Sequence, residues 1–168
     1  LIVAEGYMDV IALVTAGFEH AVAPLGTAIT EDQLHLMWRL APEPVIALDG
    51  DKAGLKAAMR LIDVALPLLE AGRSLRFALL PEGLDPDDLI RTRGRAAMQS
   101  LLDQARPMVD LLWQREIDSR SFDSPERRAT LDASLKAVLG KIRDRSIHDH
   151  YVAAIRELRR DLFAPKGR

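Results

Sequence analysis

The sequence contains no cysteine. Disulfides and thiolate metal sites are therefore excluded, and any bound metal must be held mainly by oxygen ligands. Aromatic residues are scarce, eight among 168, which gives little support to single-strand binding by base stacking. Trp38 and Trp113 fall on apolar faces of predicted helices and are read as core. Of the four histidines, His148 and His150 stand two apart on a predicted helix and face different ligands, while His20 and His35 lack any partner pattern. No apolar run approaches the roughly 20 residues that cross a bilayer. No stretch combines a cationic leader, an apolar core and a small-residue cleavage site, so a soluble cytoplasmic chain with no membrane partner is expected. A strand-like run, Leu1–Ala4, stands at the first residue with no initiator Met, and reads as the start of a segment cut from a longer protein.

What is present is unevenly distributed. Residues 1–90 carry 6 Lys and Arg against 14 Asp and Glu, whereas residues 91–168 carry 17 against 11. An acidic block followed by a basic one suggests segments with different roles. In the first, short apolar runs alternate with amphipathic stretches. Strands are expected at Leu1–Ala4, Ala21–Ala23, Val45–Leu48 and Leu75–Leu80. Between them, helices are expected over Met8–Thr15, from a Thr30/Gln33 capping box to Leu40, and over Ala53–Leu69. Strands separated by helices imply a mostly parallel sheet flanked by helices, an α/β fold. Past residue 90 the strands disappear. Helices are expected at Ala96–Ala105, Met108–Glu116, Pro125–Leu139 and Ile147–Phe163, forming an α-helical appendage. Ser124 and Pro125 suit N-cap and first-turn positions, and Leu131, Leu135, Val138, Leu139 and Ile142 form one apolar stripe.

Parallel sheets bind ligands beyond the carboxyl ends of their strands, and acidic residues stand at three such ends. Glu5 follows the first strand, and Gly6 is expected to let the backbone turn sharply into the next helix. Asp9 lies in that helix's first turn. Asp49 and Asp51 follow the third strand, with side chains on the same side of an extended backbone and Gly50 between them. Asp85, Asp87 and Asp88 follow the fourth. Such a cluster either keeps a proton or recruits a cation, and hard oxygen ligands favour Mg²⁺, or Mn²⁺, with substrate phosphates. The coherent reading is phosphoryl or nucleotidyl transfer. Each piece has a plainer counterpart. A lone Glu after a strand is usually solvated, and Asp85–Asp88 can cap a helix around Pro86. D-G-D-K-A-G also resembles an EF-hand start, but Ala53 and Arg60 occupy positions that would have to be ligands. A dehalogenase-type aspartate nucleophile is a closer rival, though it leaves Glu5 unexplained.

Four segments occur in a telling order: E-G-Y-M-D after the opening strand, L-G-T-A-I-T, D-G-D-K-A-G and L-P-E-G-L-D-P-D-D-L-I. From residue 1 to about residue 110 the chain resembles the Toprim core of bacterial DnaG-type primases. The helical remainder resembles the subdomain that follows Toprim in them. The resemblance implies a Toprim metal-binding catalytic domain at 1–106 and a helical subdomain of the RNA polymerase region at 107–168. It implies that Glu5, Asp49 and Asp51 are catalytic, and that Glu5, Asp9, Asp49, Asp51, Asp85 and Asp87 bind Mg²⁺. Glu5 is alternatively a general base. Asp88 falls where the family varies. Gly26 and Thr27 would line the same crevice, and Lys52 would reach a phosphate or be a surface lysine. The implied activity is synthesis of short RNA primers on a single-stranded DNA template from NTPs, at the replication fork. A zinc-binding domain, a basic subdomain before Toprim and a helicase-contacting region, all family features, are not in this sequence. Weak single-stranded DNA binding by this chain alone is therefore expected, since phosphate contacts dominate affinity; a salt titration showing tight binding with a steep slope would overturn it. Two alternatives remain. One is a Toprim nuclease or topoisomerase that cleaves DNA, although Tyr7 and Tyr151 lie in no recognisable cleavage motif. The other is a non-catalytic module whose basic helices bind a partner.

Overall fold

The apolar tetrad Val45–Leu48 forms the central strand, β3, of a five-stranded sheet with order β2-β1-β3-β4-β5. The structure is a computed structural model and describes residues 1–165, so the last three residues of the expected helical region lie outside it. β1 (Ile2–Val3), β2 (Ala21–Val22), β3 and β4 (Arg76–Leu79) run parallel, as the strand–helix alternation predicts. α1 (Tyr7–Thr15) links β1 to β2, α2 (Glu31–Leu40) links β2 to β3, and α3 (Lys52–Ala65) follows β3. The expected capping box opens α2: Thr30 Oγ1 accepts from the Gln33 N–H, and Gln33 Oε1 accepts from the Thr30 N–H.

Four features depart from the sequence reading. The helix expected from Ala96 starts ten residues earlier, as α4 (Pro86–Asp103), with Pro86 at the N-terminus and a break at Gly94, where φ is 80°. The hydrophilic run Arg91–Arg95 hides the first half from a hydrophobic-periodicity argument. A fifth strand, β5 (Arg106–Pro107), pairs antiparallel with β4. It is two residues long and contains a proline, tolerated because the strand is at the edge. α3 stops at Ala65 rather than Leu69, and a 3₁₀ turn follows at Leu66–Leu68, because Pro67 has no N–H to continue an α-helix. Gly6 has φ −131° and ψ 164°, extended backbone open to any residue, so no special freedom is used there.

The chain divides into two compact units, Leu1–Ala65 with Gly72–Met108, and Leu66–Ala71 with the chain from Val109 onward. In the first, Ala4 and Ala47 pack in one cluster with Leu13, Phe18, Leu80 and, from α4, Leu89 and Met98. Alternation along the strands turns Val3, Ile46 and Leu48, all buried, to the opposite face, where α3 meets β3 and α2 meets α3. Trp38 is buried, as its position on α2 predicts, and its Nε1 donates to Ser74 O at 2.9 Å.

The second unit contains α5 (Met108–Ile117), α6 (Pro125–Leu139) and α7 (Arg145–Phe163). Ser124 caps α6 and Asp144 caps α7. Four members of the apolar stripe, Leu131, Leu135, Leu139 and Ile142, are buried. One carboxylate joins them inside. Glu116 is 6% exposed, accepts from the Ser134 hydroxyl of α6, and lies 3.3 Å from both Arg115 Nε and Arg120 Nη2. Removing it takes a shared, nearly buried carboxylate away from two partly buried arginines. Glu116→Ala should cost about 2 kcal/mol, a buried-pair loss discounted for the partial exposure of the arginines. Glu116→Gln should cost less, and a thermal melt unaffected by Glu116→Ala would overturn this clasp.

Candidate metal centre

The strand order reverses at β1, which has β2 on one side and β3 on the other. Ligands of parallel sheets bind at such a switch point, beyond the carboxyl ends of the strands. Glu5 lies two residues past β1, and Asp49 directly follows β3. Asp9 lies in the first turn of α1, Asp51 immediately precedes α3, and Asp85 is the N-cap of α4 with Asp87 in its first turn. The β1–α1, β3–α3 and β4–α4 units thus deliver acids to one edge of the sheet.

Backbone packing fixes this edge closely. Gly50 N–H donates to Leu84 O at 3.0 Å, and Gly83 N–H returns a bond to Gly50 O at 2.9 Å, tying the Asp49–Asp51 turn to the loop that delivers Asp85. A Cβ at Gly50 would lie 1.9 Å from Pro81 O, and one at Gly54 2.4 Å from Asp49 O. The sequence suggested that Gly50 allows close approach; what approaches is the β4–α4 loop. Gly54, which the sequence reading passed over, is needed so that α3 can begin directly against the end of β3. The Gly-x-x-x-Gly spacing within D-G-D-K-A-G was the available signal.

Several of the carboxylates also serve the backbone. Asp51 Oδ1 accepts from Gly54 N–H at 2.6 Å, Asp85 Oδ1 from Asp88 N–H at 2.7 Å, and Asp9 Oδ1 from Asp87 N–H at 3.3 Å. The plainer reading of Asp85 as a helix cap is thus also true of it. Asp88 is turned aside to pair with Arg91. Asp49 differs from all of these. Its Oδ1 is buried and has no hydrogen-bond partner among the described residues. Burial first, and then the charges of Glu5, Asp9, Asp85 and Asp51, together push its carboxyl up to about 7. Burial likewise raises Asp9, with Asp85 and Asp87 adding to it and the Asp87 and Gly6 backbone donors opposing. Asp49 is therefore the point on which the other acids act. Among the described residues no three His, Asp or Glu side chains close on one point as a ready-made cage.

The remaining predicted residues lie along two adjoining hollows. Glu5, Gly26 and Thr27 line a cavity of 630 Å³ against β1, β3 and α3. Gly26 takes φ 74°, a left-handed conformation suited to glycine, and Thr27 Oγ1 donates to Pro24 O. Asp49, Asp51 and Lys52, the first residue of α3, line a shallower hollow of 350 Å³.

A sequence profile described as Toprim-like matches residues 2–90. The chain belongs to the Toprim-like family. Members of this family generally use a divalent metal ion. This Toprim-like chain is 42% identical over 156 residues to the DNA primase of Rickettsia felis, covering 93% of the chain and 26% of that protein. Its fold superimposes on a DNA primase domain from Pseudomonas aeruginosa with a TM-score of 0.87 and 37% identity, covering 94% of this chain and 49% of that one. It matches the DnaG primase catalytic domain bound to single-stranded DNA with a TM-score of 0.86 and 34% identity, covering 94% and 51%. The similarity in sequence and fold is thus to primase catalytic cores, as the motif order implied. The chain spans about a quarter of the curated relatives and about half of the core structures. Among the described residues no helix is long and apolar enough to cross a membrane.

The raised carboxyl of Asp49 has a consequence for stability. Between pH 4 and 7 the folded chain keeps a proton that the unfolded chain has lost, so this group's contribution is full at low pH and is lost as pH rises through 7. Asp49→Asn removes the penalty. Without divalent metal, the variant should melt about 2–4 °C above the parent at pH 8, the shift for about 1 kcal/mol, and nearly with it at pH 5. A parent that gains stability relative to the variant as pH rises would contradict this.

Proposed function

We propose that this chain is the metal-binding catalytic part of a bacterial DNA primase, with a Toprim domain at 1–106 and a helical subdomain at 107–168. The observation that carries the reading is the buried, unpartnered Asp49 Oδ1 among four other carboxylates. An unsatisfied buried oxygen is costly, and a cation would offset both that cost and the mutual repulsion of the acids. The donor set consists only of oxygens, which fits a hard divalent ion. Mg²⁺ usually takes one or two carboxylates and completes its shell with water and substrate phosphates, so the lack of a closed cage suits it better than it would suit a structural ion.

In this reading Glu5, Asp9, Asp49, Asp51, Asp85 and Asp87 hold Mg²⁺, with Mn²⁺ as a substitute. The ion supplies charge neutralisation for an NTP triphosphate and favours ionisation of the attacking hydroxyl. Asp49 and Asp51 orient the donor set from a turn that the Gly50 bonds hold rigid. Glu5, exposed at the mouth of the larger cavity, is placed either as a ligand or as acceptor of the 3′ hydroxyl proton of the growing RNA primer. Gly26, Thr27 and Lys52 border the space for nucleotide and template. Single-stranded DNA is the proposed template, as the DNA-bound relative supports. The setting is the cytoplasmic replication fork, with the zinc-binding and replicative-helicase contacts assigned to other parts of the longer protein. A DNA-cleaving role finds no favour in relatives that are primases.

In the longer enzyme, Asp49→Ala and Asp51→Ala should each reduce primer synthesis at least about a hundredfold, about 2.7 kcal/mol of transition-state stabilisation, with the fold retained by circular dichroism. Near-normal synthesis by either variant would sink the assignment.

A further inference from the structure

The helix α1 lacks the charged outer face that its neighbours carry. α2 turns Glu31, Asp32 and Arg39 to solvent, and α3 turns Lys52, Lys56 and Arg60, the ordinary pattern of a helix with one side in the core. In α1 the sole charged residue, Asp9, is buried, as is Leu13. The outward positions are taken by Tyr7, Met8, Ile11 and Val14, exposed by 63%, 53%, 55% and 44%. Tyr7, Ile11 and Val14 follow i, i+4, i+7 spacing with Met8 beside them, so the four form one continuous apolar face.

A helix that is apolar all round belongs under cover, and a contiguous apolar face marks an interaction site where single exposed side chains do not. Size narrows the choice of occupant. The helix has 9 residues, so its face is about 13 Å long and about 10 Å wide. That is far short of the roughly 800 Å² per partner that a stable complex of separate molecules buries. A second copy or a freely diffusing partner would be held poorly. A segment of the same polypeptide would not, because tethering raises its local concentration to the millimolar range. Nucleic acid is not the match either, since the face presents no cation to a phosphate. On the primase reading, on which this inference rests, the polypeptide has such segments to offer: the chain spans about half of the matched core structure and about a quarter of the curated relative.

We propose that a segment of the longer primase, from outside these 168 residues, docks on the outer face of α1 through an apolar surface of its own. It buries Tyr7, Met8, Ile11 and Val14. Tyr7 and Met8 stand between Glu5 and Asp9 in the chain, so the docked segment lies beside the acidic edge.

The test compares the 168-residue chain with the longer protein by hydroxyl-radical footprinting, read by mass spectrometry at Tyr7 and Met8. Both side chains should react freely in the 168-residue chain and at least about fivefold less in the longer protein, as burial at the centre of an interface requires. Ile11→Glu should restore their reactivity in the longer protein. In the 168-residue chain the same substitution should leave the thermal melt within about 2 °C of the parent, as for a surface position. Equal reactivity in the two proteins, or protection that survives Ile11→Glu, overturns the proposal. So does reactivity of the 168-residue chain that rises on dilution, or protection of the longer protein that appears only with single-stranded DNA, since the occupant would then be a second copy or nucleic acid. A longer protein that protects both residues yet makes no primers would sink the proposed activity and leave the docking standing.

Discussion

The first unit is organised around one unfavourable group, the carboxylate of Asp49, with a buried oxygen that nothing in the described chain satisfies. Its cost is met partly by topology. In a parallel β–α–β arrangement each helix begins at the carboxyl edge of the preceding strand, so α1, α3 and α4 all aim their N-termini at the edge that carries the acids. Helix N-termini carry partial positive charge and unsatisfied N–H groups. Asp51 and Asp85 accept from such groups directly. Asp49, at the end of β3, has only the field and no donor. It is the residue for which an external cation makes the largest difference.

Rigidity at this edge comes from the absence of side chains as much as from their presence. Gly50 is held between Leu84 and Gly83 by two backbone bonds, and its Cα lies too close to the Pro81 carbonyl for any Cβ. Gly54 brings the start of α3 against Asp49 O. Together they couple two acidic segments far apart in sequence, so that Asp49 and Asp85 interact as though consecutive. Geometry set by backbone contact is stiffer than geometry set by side-chain rotamers, which is the requirement for placing ligands within a fraction of an ångström.

Much of this was legible in the residues. Strand–helix alternation gave the parallel sheet, Thr30 and Gln33 the start of α2, and Ser124 with Pro125 the start of α6. What escaped did so for identifiable reasons. β5 is too short to carry a period and contains a proline, and only its pairing with β4 makes it a strand. The first half of α4 is hydrophilic, so its helicity rests on the Asp85 cap and Pro86 rather than on an apolar stripe. The acids could be placed at strand ends from sequence, but their convergence on Asp49 could not. That depends on β3 returning to the far side of β1 from β2, a choice made by tertiary packing.

The division of labour among the carboxylate oxygens accounts for the open character of the site. Asp51 and Asp85 each commit one oxygen to a backbone N–H, and Asp9 accepts from the Asp87 and Gly6 backbones, which fixes these side chains. Asp49 commits none. A cage of three or more converging carboxylates would bind an ion tightly and leave no coordination positions for phosphate. Carboxylates that are individually anchored but not mutually closed hold their orientation without an ion, at the cost of the repulsion felt at Asp49. On the proposed function, an ion entering with its waters would relieve that repulsion and still have positions to offer. On the proposed function, the same acids that repel one another at neutral pH would be stabilised by a cation and a phosphate-bearing substrate together, rather than by either alone.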